Sequence, residues 1–201
     1  MKFKFSVVFF LLIFFHNVMG QTNIPTDHLT SDFHKSRREA LRASMPENSV
    51  AVFFSNAIRN RANDVEFVYH QDPNFYYLTG LKEPHSVLVI FSENQQQNGK
   101  LFNESLYVYE RGARYKIYNG DGTGVKGAKE QLGFSNVYGG KAFIDDPIDF
   151  SKFDKILFKE FENDIRKKGR EQPNLYALTE QFKSSVNSIP MPDKKGIDSE
   201  S

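Results

Sequence analysis

The sequence predicts an α/β fold, a mixed β-sheet flanked by helices, and two observations carry that expectation. Residues 50–54, 87–91 and 106–109 are short apolar runs rich in β-branched and aromatic residues, as buried strands require. Around them lie segments whose apolar residues recur at helical spacing. Phe33, Leu41 and Met45 fall on one face among arginines and lysines and stop before Pro46, which predicts an amphipathic first helix. Strand 50–54 follows, and then a polar loop over 55–66. The aromatic run from Phe75 ends at Gly80, which can close a short helix or a turn. After the strands at 87–91 and 106–109, residues 124–133 read as a helix closed by Gly133. A short strand is expected near 136–138 and a further one at 155–158. Leu175, Leu178, Phe182, Val186 and Ile189 mark one face of a last helix, which Pro190 and Pro192 stop. No internal repeat is visible.

Composition bounds the class. A chain of 201 residues with 39% hydrophobic and 25% charged residues is globular in character and long enough for one core. Lys2 and Lys4 precede an apolar run over 5–15, which breaks at His16 and Asn17 before Gly20. That is the layout of a signal peptide cleaved after Gly20; a membrane anchor needs roughly 18 or more apolar residues in succession. The expected organisation is a signal peptide at 1–20, a flexible leader at 21–30, one domain at 31–190 and a disordered tail at 191–201. Secretion, or export to a periplasm, is the expected localisation. Cleavage removes two lysines and no acid, taking the formal charge from +1 to −1, so no basic field points to nucleic acid. With no cysteine there is no disulfide framework, no thiolate nucleophile and no cysteine-ligated metal.

Catalytic patterns are sparse. His28, His34, His70 and His85 remain after cleavage, in no His-x-x-x-His or His-Glu-x-x-His spacing, and no Gly-x-Ser-x-Gly elbow occurs. Residues 119–124 with Glu130 partly imitate a calcium loop, but an asparagine opens it and no incoming helix is evident, so a glycine-rich turn before a helix is the preferred reading. Asn103, Glu104 and Ser105 form a glycosylation sequon. The basic run 166–170 is flanked by Glu160, Glu162, Asp164 and Glu171 and reads as a solvated helix end.

The most specific stretch runs from residue 61 to 84. It places Arg61 and Asp64 three apart, then Tyr69 and Gln71, then Phe75, Tyr76, Tyr77, Leu78, Thr79 and Gly80, and finally Glu83 and Pro84 ahead of strand 87–91. Arg61 and Asp64 could pair with each other or with backbone to fix the loop, and the aromatics supply rigid contact area. The favoured role of Arg61, Asp64, Tyr69 and Gln71 is a satisfied polar network beneath a loop; the alternative is a loop that faces a neighbouring subunit or a catalytic pocket.

This stretch resembles the N-terminal domain of the aminopeptidase P (Xaa-Pro aminopeptidase) family, of the creatinase and prolidase superfamily. In that family an Arg, an Asp and a Tyr-x-x-Gln element, here the shorter Tyr69-His70-Gln71, precede an aromatic run ending in Thr-Gly, and a Glu-Pro pair introduces the next strand. Residues 36–41 and 122–134 are similar to the family's opening and later helices, so the likeness covers roughly 33–140. The resemblance implies release of N-terminal residues that precede proline, by a separate C-terminal pita-bread domain whose acidic residues and histidine hold two metal ions, usually manganese. No positions in this sequence match that ligand set, so no metal or cofactor is expected in this chain. The expected role is the non-catalytic N-terminal domain of a secreted enzyme, truncated or a fragment, inactive alone. Its expected partners are the catalytic domain or sister subunits of a homo-oligomer, with proline-containing peptides bound by the intact enzyme. The alternative is a stand-alone secreted binding module derived from that domain.

Overall fold

The computed structural model describes residues 29–62, 65–112, 116–117, 120–161 and 173–189. In chain order the elements are helix α1 (Ser31–Ser44), strands β1 (Ser49–Phe54), β2 (Asn60–Ala62) and β3 (Val65–Glu66), helix α2 (Pro73–Thr79), strands β4 (Val87–Gln97) and β5 (Lys100–Val108), helix α3 (Gly124–Glu130), strand β6 (Val137–Gly139), helix α4 (Gly140–Asp145), a 3₁₀ turn (Phe150–Lys152), strand β7 (Lys155–Phe158) and helix α5 (Leu175–Asn187). Five strands form one sheet in the order β6-β5-β4-β1-β7. The β1–β4 and β4–β5 pairs are antiparallel, whereas β1–β7 and β5–β6 are parallel, so the sheet is mixed as expected.

Alternation along the strands separates two cores. Val50 and Val52, Val87, Val89 and Phe91, and Tyr107 face α4, the 3₁₀ turn and α5, where Phe143, Phe150, Leu178, Phe182 and Val186 complete the packing. Ala51, Leu88, Ile90, Leu106 and Val108 face the other way, against Phe75 and Leu78 of α2, Leu81, Ala128 of α3 and Phe134. The starts of α1, α2 and α5 have a local cause. Thr30 accepts from the Phe33 amide (3.2 Å), Asp72 from that of Phe75 (2.8 Å) with Pro73 beginning the first turn, and Asn174 from that of Ala177 (3.0 Å).

Three elements depart from the sequence reading. The loop expected over 55–66 contains the β2–β3 pair, with an irregular register between Asn60 and Ala62. The strand expected at 87–91 continues to Gln97 and turns at Asn98-Gly99, where φ is +52° and +74°, into a β5 that begins at Lys100. Two successive positive φ values define the type I′ hairpin that Asn-Gly favours. Finally, α4 and the 3₁₀ turn lie in a stretch whose apolar residues were too few to show a period. Expectations on 1–28, the 166–170 run and the tail at 191–201 lie outside the described residues. Among the described residues no helix is long and apolar enough to cross a membrane.

Candidate functional site

Gln71 organises the stretch after β3. Its carboxamide oxygen accepts from the Asn56 amide (3.0 Å), the Asp72 amide (2.9 Å) and the Tyr69 hydroxyl (2.8 Å), while its nitrogen donates to the carbonyls of Leu81 (3.1 Å) and Glu83 (2.8 Å). Both side-chain donors are thus used, and three segments that are remote in sequence are tied at one point. The Tyr69 hydroxyl also lies 3.3 Å from the Asn56 carbonyl. Burial pushes the Tyr69 phenol above its ordinary value, and the nearby Asp72 charge adds to that; its hydrogen bonds act in the opposite sense without overcoming it.

Glu83 anchors the second half of the stretch. Its carboxylate takes Arg111 Nη2 at 2.9 Å and the Thr123 amide at 3.1 Å to each oxygen, and Arg111 also donates to the Gly120 carbonyl (3.0 Å). The loop before α3 therefore folds onto Glu83. Gly122 stands there at φ +70°, where a Cβ would come within 2.8 Å of the Glu83 carboxylate and 2.6 Å of Arg111 Nε. Asp121, the acid of the calcium-like pattern, instead meets Lys116 at 3.5 Å on the surface.

The remaining signature residues divide by role. Phe75 is fully buried. Tyr77 is partly exposed; its carbonyl is 2.8 Å from His34 Nδ1 and its ring stands edge-on to Phe33. Gly80 ends α2 in the left-handed conformation at φ +71°, and the Pro84 carbonyl accepts from the Ser86 hydroxyl at 3.2 Å. Arg61 is exposed on β2, and Asp64 lies outside the described residues, as does any pairing between them. The structure therefore joins Tyr69, Gln71 and Glu83 into one frame and leaves Arg61 at its rim. Beside Arg61 the chain presents Val65, Phe67 and Val68, which are 56%, 55% and 81% exposed.

A second anchor escaped the sequence reading. Arg38 of α1, which the sequence reading did not single out, is fully buried. Its guanidinium makes a two-pronged pair with Glu104 of β5 (2.8 and 3.0 Å), donates to the Leu78 carbonyl (2.8 Å) and lies 3.9 Å from the centre of the Phe134 ring. Arg42 adds a contact to Glu104 (3.1 Å) and donates to the Phe91 carbonyl (3.2 Å). The middle residue of the sequon thus locks α1 onto the sheet. Only helical spacing, which puts Arg38 and Arg42 on the same face as His34, pointed to it.

His34 and His85 are structural and apart, and His70 is exposed. His34 packs against Phe33 and Tyr76, and His85, at φ +58°, accepts the Leu175 amide (3.1 Å) through Nδ1 at the start of α5. Among the described residues no group of three or more His, Asp or Glu side chains could hold a metal ion. These described residues do not fit a two-ion centre. What the arrangement does is fix loop geometry: its acids and amides face backbone groups and arginines.

Residues 34–148 match the family model described as "Aminopeptidase P, N-terminal domain". Relatives include "Intermediate cleaving peptidase 55" of Schizosaccharomyces pombe, 30% identical over 56% of this chain and 23% of its own length. The "Xaa-Pro aminopeptidase" of Escherichia coli is 31% identical over 61% of this chain and 25% of its own. Among solved structures, Pseudomonas aeruginosa aminopeptidase PepP matches with a TM-score of 0.63 and 22% identity, over 84% of this chain and 36% of that one. The chain spans about a quarter of the length of these curated relatives and about a third of that solved structure. A polar frame built on Tyr69, Gln71 and Glu83, a mixed five-stranded sheet and a family match over more than half of its residues together make this chain a member of the aminopeptidase P N-terminal-domain family.

Proposed function

We propose that this chain is the non-catalytic N-terminal domain of a secreted, manganese-dependent Xaa-Pro aminopeptidase, serving to position that enzyme's catalytic domain and to wall its peptide-binding pocket. The observation that carries this reading is the family match over 34–148, together with a frame whose charged and amide groups serve the fold. The substrate of the complete enzyme is then a peptide with proline in second position. Cleavage after Gly20 delivers the chain outside the cytoplasm. The exposed Val65, Phe67 and Val68 beside Arg61 supply an apolar surface for the catalytic domain or a sister subunit.

A second reading, an independent secreted binding module, draws on the two cores: helices already cover both faces of the sheet, as in a domain that stands alone. The two differ in the cost of leaving the hairpin surface bare. For a domain missing its partner, sedimentation of the pure chain will show concentration-dependent self-association that Phe67→Glu with Val68→Lys abolishes while the thermal midpoint holds. A strictly monomeric chain, unaffected by these changes, would favour the independent module.

A further inference from the structure

A cavity of about 300 Å³ opens on the α4 side of the sheet, between the β4–β5 hairpin and the segment from α4 to the 3₁₀ turn. That volume is at the lower end for small-molecule sites. Its walls are aromatic. Tyr107 stacks on Tyr138 with ring centres 5.5 Å apart, and Phe91 meets Phe102 edge-on at 5.8 Å. Ile148 closes one side.

Two polar features within this lining are unused by the fold. Tyr107 is only 6% exposed, yet its hydroxyl has no hydrogen-bond partner among the described residues, whereas that of Tyr138 donates to Asn136 at 2.9 Å. That hydroxyl is nonetheless not sealed from solvent, and Tyr107 lines the cavity. Burial first, and then the neighbouring Tyr138 and Asp146, raise this phenol above its ordinary value, so it stays neutral, with an oxygen lone pair free to accept. The second feature is charge. Asp149 is matched by Lys152 at 3.6 Å and by the Ser151 hydroxyl and amide. Asp146, on the same wall, has no ion-pair partner among the described residues, and it leaves the cavity with one uncompensated negative charge.

We propose that this cavity binds a small organic ammonium ion carrying an aromatic or branched aliphatic body. The body lies against the Phe and Tyr side chains, and the ammonium group donates to the Asp146 carboxylate and to the Tyr107 hydroxyl oxygen, which accepts. Aromatic faces attract a cation through their quadrupole, so rings and carboxylate favour the same ligand charge. An anion would meet both the Asp146 charge and the negative faces of the rings. The site is separate from the Gln71 frame and does not depend on the peptidase reading.

The test titrates the full chain with phenethylammonium, with 2-phenylethanol of equal shape and no charge, and with phenylacetate, following backbone amide shifts by NMR. The amine should give saturable shifts centred on Tyr107, Tyr138 and Ile148 and bind at least about five-fold more tightly than the alcohol, with phenylacetate failing to saturate. Asp146→Asn, at an exposed position, should bring the amine down to the affinity of the alcohol. Tyr107→Phe, which keeps the ring stack, should weaken both about three-fold. Equal binding of all three compounds, shifts centred elsewhere, no saturation with the amine, or an unchanged amine affinity in Asp146→Asn would each overturn the assignment.

Discussion

Gln71 sits where a single side chain replaces what would otherwise be several buried, unmatched backbone groups. Its oxygen faces two amide N–H groups and a phenol, and its nitrogen faces two carbonyls, so no other residue type of this size presents both an acceptor and a two-pronged donor here. Gln71→Met, similar in volume, leaves the Asn56 and Asp72 amides and the Leu81 and Glu83 carbonyls without this partner. Urea denaturation should register a loss of about 3 kcal/mol, against less than about 0.5 for an exposed substitution such as Lys155→Ala. The buried phenols make a separate prediction. Tyr69 and Tyr107 are both held above the ordinary tyrosine value of 10.0, so the neutral form is the one the fold favours. Above about pH 10 the unfolded chain gives up protons that the folded chain keeps, and stability must fall as pH rises; below about pH 9 these two groups contribute no slope. Stability followed from about pH 8 to 11 should bend downward in the native chain, and the double change Tyr69→Phe with Tyr107→Phe should flatten the bend whatever it does to the baseline.

At the scale of elements, α2 is short, and its two ends hold it in place. Asp72 caps the start, and Gly80 closes the end at φ +71° with its Cα against the buried His34 ring, leaving 2.8 Å for any added Cβ. Gly80→Ala therefore meets two penalties, a left-handed backbone costing about 1–2 kcal/mol and a collision with His34. In a thermal double-mutant cycle Gly80→Ala should lower the midpoint strongly in the native background and less in a His34→Ala background, where only the backbone term remains. Equal losses in both would show that the ring is not the obstacle. The sequence made such elements legible wherever a local rule decides them: the Asp72-Pro73 start, the Gly80 stop, the alternation in β1 and the stripe on α5. It concealed those decided by partners far along the chain. Arg38 and Glu104 are 66 positions apart, and nothing near either one says that a fully buried guanidinium will find a carboxylate. The β4–β5 ribbon is a different case, since Asn98-Gly99 carries a hairpin signal that the polar glutamines before it obscure.

For the whole molecule, two helical layers close a mixed sheet, and the Gln71 and Glu83 anchors gather the loops on one side of it. Fold and family were readable from the 61–84 stretch because it concentrates caps, turns and buried aromatics whose roles are local. The candidate site was readable only in part. Tyr69, Gln71 and Glu83 do come together, but what each one binds is set by backbone groups of other segments, which no spacing rule names. The central claim is that chemistry belongs to another domain and this chain supplies position. It is tested most directly by incubating the purified chain with an Xaa-Pro peptide, with added Mn²⁺ and with a chelator control, and following release of the first residue. The account predicts no release above the peptide-only background in either condition; release that requires Mn²⁺ and stops with the chelator would contradict it.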